Sequence, residues 1–431
     1  MSFLNKQNYH FIGIGGIGIS AIAKMLLLEG KTVSGSDLSN SDIIEDLKNL
    51  GADINLEQNE NNIKKETEVV IYTVAITEKN PELKRAKNLN IICKTYPEAL
   101  GELSAIKKTI AISGTHGKTT TTAMIAHIMN KQEIDPTVIV GSKILGENSN
   151  FKKGKSNYLV VEACEYKRSF LNLNPSILVI TNIEEDHLDY YKNLDDILSA
   201  FKELAERVSE NGFIITDLKS VNIKTVLKEA DLKNGVKVLD YNDIEIKDII
   251  SIEGKHNLMN AKSAIKTLES LWVDREKSIL ALKDFSGTWR RMELKGEKDG
   301  NLYFDDYAHH PTAIKVTLEA VKQKYKDKKI VCVFEPHQQS RTREFFDQFV
   351  DSLAIADYIF IAPVYITREE DDGITTNSKI VNKLRENGRD AKAVENPEEL
   401  KSYLKKLKRN DLCVILMGAG DIYKWTPKLL N

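Results

Sequence analysis

Short apolar runs recur along this chain, each closed by glycine, an acid or a histidine, and between them apolar positions return at helical spacing. Residues 9–12, 32–36, 69–73, 109–112, 158–161, 177–180, 213–216, 302–304, 330–334, 358–362 and 412–417 read as buried strands. Residues 19–29, the stretch from Lys118 through Ile128, and 199–209 keep apolar residues on one helical face, while Asn80-Pro81-Glu82 and the residues after Gly254 open further helices. Strand and helix in alternation predict parallel sheets. Pro97 and Gly101 read as the end of a first domain and 285–289 as a linker, which divides the chain into 1–107, 108–285 and 286–431.

Candidate chemistry gathers where these strands end, the place where parallel α/β sheets bind ligands. After 109–112 comes Ser113-Gly114-Thr115-His116-Gly117-Lys118-Thr119-Thr120. Glycines let backbone N–H groups turn onto anionic oxygens, and a helix N-terminus adds partial positive charge. The order therefore suits a phosphate-cradling loop, with Lys118 on the outer phosphates and the Thr119 hydroxyl on Mg2+. It matches GxxGKT, with Ile112 where the longer GxxxxGK[ST] pattern has glycine; a chance GKT turn is the alternative. After 9–12, Gly13-Ile14-Gly15-Gly16-Ile17-Gly18 forms GxGxxG, and Asp37, about 20 residues on, stands where such folds bind ribose hydroxyls. The expected ligand carries a ribose and a diphosphate, with NAD as one possibility.

Glu162 ends the strand 158–161 and faces the crevice of the phosphate loop, and 177–180 delivers Thr181-Asn182-Ile183-Glu184-Glu185-Asp186-His187-Leu188-Asp189. Near a bound triphosphate His187 is a reasonable Mg2+ partner; otherwise it caps a helix or is exposed. Asn257 and Asn260, three apart on one helical face, either read a purine edge or cap the helix. In the last third, 302–304 leads to Asp305-Asp306-Tyr307-Ala308-His309-His310-Pro311, and 330–334 leads to Glu335-Pro336-His337-Gln338-Gln339-Ser340-Arg341. The ligand count there argues against a dedicated metal at His309 and His310.

At 431 residues, and about 150 per domain, the chain suits roughly three domains. With 61 basic against 63 acidic side chains it has no electrostatic footprint for nucleic acid or an anionic membrane, so its partners are expected to be small molecules. Cys93, Cys164, Cys332 and Cys413 show no CxxC spacing, which favours reduced, buried thiols in the cytoplasm. The polar stretch Met1 to Asn8 leads into a strand, and no apolar run reaches the roughly 20 residues of a bilayer span; neither export nor membrane insertion is expected.

Taken together, the glycine fingerprint, Gly114 to Thr120, Thr181 to Asp189, His256-Asn257 with Asn260, Arg290-Arg291, Asp305 to Pro311 and Pro336-His337 resemble the Mur ligases across the whole chain. The short GxxGKT loop is what that family has. The fold class this implies is α/β in three domains: a Rossmann-like N-terminal domain for the UDP substrate, a central P-loop ATPase domain with a parallel-rich sheet, and a Rossmann-like C-terminal domain that binds the amino acid and closes on ATP.

The resemblance implies an ATP-dependent ligase of peptidoglycan precursor synthesis. ATP phosphorylates the lactyl carboxylate of UDP-N-acetylmuramate, and the amine of L-alanine displaces phosphate from the acyl phosphate. Carried over by position, Gly13, Gly15, Gly16, Gly18, Asp37 and Asn182 bind the UDP substrate. Gly114, Thr115, His116, Gly117, Lys118, Thr119, Thr120, Asn257, Asn260, Arg291 and Asp306 serve ATP. Thr119 and Glu162 hold one Mg2+ and His187 a second, while Tyr307, His309, His337 and Arg341 face the amino acid. Lys118, Glu162, His187, Arg291 and Asp306 form the implied catalytic set. A monomer or weak homodimer is expected.

This chain departs from the family in Glu162-Ala163-Cys164-Glu165-Tyr166-Lys167, which lacks two acids common in relatives, and in Gln338, where relatives often carry arginine. Lys202 lies near a lysine that other members carbamoylate. The rival readings are a ligase recycling a preformed murein peptide, whose acidic loop carries a tyrosine as Glu165-Tyr166 does, an NAD-dependent oxidoreductase, and a binding module without turnover.

Overall fold

Three sheets organise the chain in the computed structural model, which describes residues 3–144, 149–246, 254–366 and 371–431. The first contains β1 (Asn8–Ile12), β2 (Thr32–Ser36), β3 (Asp53–Asn55), β4 (Val69–Tyr72) and β5 (Ile92–Thr95), all parallel, in the order β3-β2-β1-β4-β5. The second contains β6 (Lys108–Ser113), β7 (Thr137–Ile144), β8 (Ser149–Lys152), β9 (Tyr158–Glu162), β10 (Ile177–Ile180), β11 (Phe213–Thr216) and β12 (Lys237–Asp240). Its order is β12-β11-β10-β6-β9-β7-β8, and β8 alone runs antiparallel to its neighbour. The third, β13 (Glu293–Lys298), β14 (Asn301–Asp306), β15 (Lys329–Phe334), β16 (Tyr358–Ile361), β17 (Ala391–Ala393) and β18 (Leu412–Met417), has the order β13-β14-β18-β15-β16-β17 with only β13 antiparallel.

The chain divides into two compact units. Met1–Ile249 with Met259–Phe285 holds the first two sheets, and Ile250–Leu258 with Ser286–Asn431 holds the third. One apolar cluster runs through both sheets of the first unit, from Phe3 and Phe11 through Leu103 and Leu178 to Val226. The central strands are apolar throughout because helices cover both faces: Ile177 to Ile180 and Leu412 to Met417 are wholly buried.

Local signals explain most boundaries. Asn80 accepts from the N–H groups of Glu82 and Leu83 and starts the helix Pro81–Asn88. The helix expected at 199–209 is Leu194–Glu206, its entry set by Asn193, whose side chain accepts from the Asp196 N–H. Pro97 and Gly101 fall within a single element. Both lie inside the helix Tyr96–Ala105, where proline suits the first turn, and a Cβ on Gly101 would collide with the Asn172 carbonyl. The expectation of buried thiols fails at Cys164, which is exposed; Cys332 and Cys413 are buried and all four are free. Of the polar N-terminal stretch, Met1 and Ser2 lie outside the described residues. No helix among the described residues is long and apolar enough to cross a membrane.

Candidate active site

Between β6 and the helix Lys118–Lys131 the backbone needs two left-handed turns, and glycine supplies both: Gly114 has φ +128° and Gly117 φ +86°. A Cβ at Gly114 would strike Thr181, and one at Gly117 the Asn260 carboxamide. The loop is pinned from the β10 side. Asn182 accepts from the His116 N–H at 2.9 Å and donates to the His116 carbonyl at 3.0 Å, while the Thr115 hydroxyl accepts from the Glu184 N–H at 2.8 Å. Asn182, expected among the sugar-nucleotide contacts, thus has both ends of its carboxamide committed to the phosphate loop.

Lys118 folds back over this loop. Its Nζ donates to the Gly114 carbonyl at 2.5 Å, the Thr115 carbonyl at 3.1 Å and Glu165 Oε1 at 2.9 Å. Burial pulls the ammonium towards lower pKa, but the neighbouring Glu165, Cys164 and Glu162 outweigh it and hold Lys118 above its ordinary value. It stays charged.

Glu165 connects Lys118 to His187, whose Nε2 lies 3.7 Å from Glu165 Oε1 and 3.9 Å from Asp186 Oδ2. Ligand atoms of Glu165, Asp186 and His187 all fall within 4.8 Å of one another. Hard carboxylate oxygens and one imidazole suit Mg2+ better than a soft metal, so the donor set fits the expected ion. Of the expected trio Thr119, Glu162 and His187, the carboxylates the structure sets beside His187 are Glu165 and Asp186. Glu162 ends β9 with Oε2 2.6 Å from where a Gly141 Cβ would lie. The signal for Glu165 was its place three residues past Glu162 in the same strand-end loop.

The loop is braced. His187 has φ +56°, and the Tyr166 ring lies 4.9 Å from its imidazole while the Tyr166 hydroxyl donates to Asp189 at 3.0 Å. Lys167 and Arg168 are also left-handed, and the Arg168 guanidinium is anchored by Asp196 at 2.7 Å and by Glu203. Lys202 pairs with Glu206 at 2.8 Å on its helix.

The same unit carries the other glycine loop. The N–H groups of Gly13 and Ile14 donate to the Ser36 carbonyl at 2.8 and 3.0 Å, and the Gly15 N–H donates to Asp37 Oδ2 at 2.9 Å. Gly16 precedes the helix Ile17–Leu28, and Gly18 lies against the ring of Tyr96. From β8, the Asn150 carboxamide donates to the Ile17 carbonyl and to the Ser20 hydroxyl.

In the second unit, functional groups collect where β14, β15 and β18 end. Asp306 accepts from the N–H groups of Met292 and Ala308, each at 2.8 Å, and burial raises its pKa against the opposing charge of Arg291. Arg291 lies over the Tyr307 ring at 5.1 Å; burial, with the Arg291 charge adding, depresses His256 to about 4. Tyr307, His309, His337 and Tyr365 form a chain of ring contacts at 5.2, 5.9 and 5.7 Å, and Arg341 approaches His337 Nδ1 at 3.5 Å. His309 Nδ1 meets the Tyr307 carbonyl at 2.9 Å, whereas His310 caps the helix Pro311–Lys324, so the adjacent histidines serve separate ends. Asn257 belongs to this unit and Asn260 to the other.

Two groups named in the sequence without a role of their own stand out here. Arg290 is 2% exposed, surrounded by the rings of Trp289, Tyr307 and Tyr423, and donates to the carbonyls of Gly418 and Gly420. Glu335, 7% exposed, is pushed up to about 7 by burial, with the Ile422 N–H, Arg290 and the Gly420 N–H opposing and Asp421 adding. A folded pKa above the ordinary 4.5 means the protonated carboxyl is the favoured buried form. Its contribution to stability is full below that ordinary value and is lost as pH rises through about 7. Glu335→Gln should therefore gain on the wild type between pH 5 and pH 8, as read by melting temperature at the two values; an unchanged difference contradicts the assignment.

Loop, lysine and the acid–imidazole cluster define a phosphate-loop protein carrying a second nucleotide-type glycine loop. Residues 8–108 match the Mur ligase family, catalytic domain, 112–242 the Mur ligase middle domain, and 290–420 the Mur ligase, glutamate ligase domain. The chain is 42% identical to the UDP-N-acetylmuramate--L-alanine ligase of Clostridium acetobutylicum over 97% of its own length and 96% of that protein. To the protein of the same name from Clostridium tetani it is 41% identical over the same shares. Among solved structures, the UDP-N-acetylmuramate-alanine ligase MurC of Thermotoga maritima superposes with a TM-score of 0.80 at 27% identity, covering 98% of both chains. A murein peptide ligase of Psychrobacter arcticus gives 0.73 at 22% identity over the same shares, a likeness of fold. The chain belongs to the Mur ligase family.

Proposed function

We propose that this chain is a cytoplasmic ligase, monomeric or weakly dimeric, that uses ATP to join L-alanine to the lactyl carboxylate of UDP-N-acetylmuramate in peptidoglycan precursor synthesis. The observation that carries this reading is the contact chain from Lys118 through Glu165 to His187 at the phosphate loop, 2.9 and 3.7 Å long, in one compact unit with the GxGxxG loop. The full-length relatives named for this reaction point the same way.

In this reading residues 1–107 bind the UDP substrate, 108–285 bind ATP, and 286–431 bind the amino acid and close on ATP. A carboxylate is a poor electrophile and must be activated before an amine attacks. Phosphoryl transfer asks chiefly for alignment and charge neutralisation. Lys118 is already an ammonium held among oxygens, so it exchanges carbonyl and carboxylate partners for β- and γ-phosphate oxygens with little reorganisation. Thr119, Glu162 and His187, with Glu165 and Asp186 beside His187, would hold Mg2+, which supplies further neutralisation of phosphate charge. Asn257, Asn260, Arg291 and Asp306 complete the ATP contacts. Tyr307, His309, His337 and Arg341 receive L-alanine, Arg341 pairing with its carboxylate. The amine then attacks the acyl phosphate, and the tetrahedral intermediate expels phosphate to leave the amide.

Phosphate release measured with ATP, Mg2+ and UDP-N-acetylmuramate against a panel of amines tests the reading. L-Alanine is expected to turn over fastest, with no release when any component is omitted. Faster turnover with the tripeptide L-alanyl-γ-D-glutamyl-meso-diaminopimelate would make this a recycling ligase instead. NADH binding without ATP hydrolysis would reject the whole class.

A further inference from the structure

The GxGxxG loop offers a diphosphate only backbone N–H groups, because Gly13 to Gly18 contains no cationic or hydroxyl side chain. One side chain reaches over it from elsewhere. Tyr96 sits directly after β5, at the first position of the helix Tyr96–Ala105, and its Cζ, Cε1 and hydroxyl oxygen lie 2.8 to 2.9 Å from where a Cβ on Gly18 would project. The third glycine of the fingerprint is thus the one that makes room for this phenol.

The presentation is rigid. Thr95 accepts from the Glu98 N–H, and Glu98 accepts from the Thr95 N–H at 2.7 Å, a reciprocal cap that fixes the helix start, while Pro97 sets the next φ. The ring is half-buried, and its hydroxyl has no hydrogen-bond partner among the described residues. Burial raises the phenol above its ordinary pKa, with Cys164 and Glu162 adding to the effect, so it stays a neutral donor beside the carboxylate that ends β9. A donor held firmly, unspent on the protein, and placed over the N-terminal turn of the helix Ile17–Leu28 faces the position where that helix would receive an anion.

We infer that Tyr96 is a substrate-binding residue whose hydroxyl donates a hydrogen bond to the diphosphate of the sugar nucleotide. The inference rests on reading the GxGxxG loop as the UDP site. It also gives that site a side-chain contact from the connector that runs directly into β6 and the phosphate loop.

Calorimetric titration of the full chain with UDP tests it without turnover. Tyr96→Phe removes the donor and keeps the ring, so UDP affinity should fall about tenfold, the usual scale for a hydrogen bond to a charged oxygen. ADP affinity and melting temperature should stay at wild-type values, because the hydroxyl makes no hydrogen bond among the described residues. Gly18→Ala, which must push the ring aside, should also weaken UDP while leaving ADP unaffected. UDP affinity within twofold of wild type in Tyr96→Phe overturns the inference, and so does a fall in ADP affinity instead. A wild-type chain that binds no UDP overturns the reading of the loop itself, with Tyr96→Phe then irrelevant to the cause.

Discussion

Lys118→Ala is expected to lower kcat/KM for ATP-dependent phosphate release by about 10³-fold, about 4 kcal/mol of transition-state stabilisation. The size follows from what surrounds the ammonium. Its partners are two loop carbonyls and a carboxylate whose side chain is only 5% exposed, so the group works out of bulk water, where a charge interaction is strongest. Alanine removes the cation and also strands Glu165, so part of any loss could come from a damaged loop. A second substitution separates the two causes. Glu165→Gln in the Lys118→Ala background removes the stranded charge, and it should recover melting temperature without recovering turnover. Recovery of turnover in the double variant, or a single variant within tenfold of wild type, would mean that Lys118 organises the loop and does not touch phosphate.

How much of this could be read from the sequence depends on how local each signal is. Ile177 to Ile180 and Leu412 to Met417 are apolar throughout because both faces of their strands are covered, and such runs announce themselves. The edge strands do not. Glu293–Lys298 is mostly charged, with one leucine and one glycine, and Ala391–Ala393 is three residues long, so neither carries a period that a linear reading can detect. Pro97 and Gly101 look like chain breakers yet sit inside a helix for a related reason. Proline is at home in a first helical turn, and Gly101 answers to the Asn172 backbone, 71 positions away in the chain.

The site divides along the same line. The phosphate loop and His187 are legible because their spacing or strand-end position is itself the signal. Glu165 belongs beside Lys118 only once β9 lies next to β6, and Asn182 is tied to the phosphate loop only because β10 lies on the other side. Tyr96 over Gly18 and Glu335 beneath Gly420 are likewise contacts between segments far apart in sequence. Residue type alone suggests neither.

Arg290→Ala should destabilise the second unit by about 3–5 kcal/mol, the scale for breaking a buried charge-bearing network. The guanidinium fork donates to two carbonyls, Gly418 and Gly420, on the loop that follows β18, and three aromatic rings enclose it at 4.5 to 5.4 Å. Alanine leaves both carbonyls without that donor and opens a cavity among Trp289, Tyr307 and Tyr423. Arg290→Lys should recover only part of the loss, since one ammonium cannot reproduce a planar fork spanning two acceptors. With two compact units a single unfolding free energy is ill defined, so the readout is the denaturant midpoint of Trp289 emission in a full chain carrying Trp272→Phe and Trp425→Phe as background. The consequence should reach the proposed amino-acid site, because the Gly418 N–H donates to the Asp306 carbonyl and Gly420 abuts both Glu335 and Tyr365, which stacks on His337. KM for L-alanine should therefore rise in Arg290→Lys while the Kd for UDP stays unchanged. A midpoint shift worth less than about 1 kcal/mol, the ordinary scale of a single neutral hydrogen bond, would mean that the aromatic cage holds this loop without its cation.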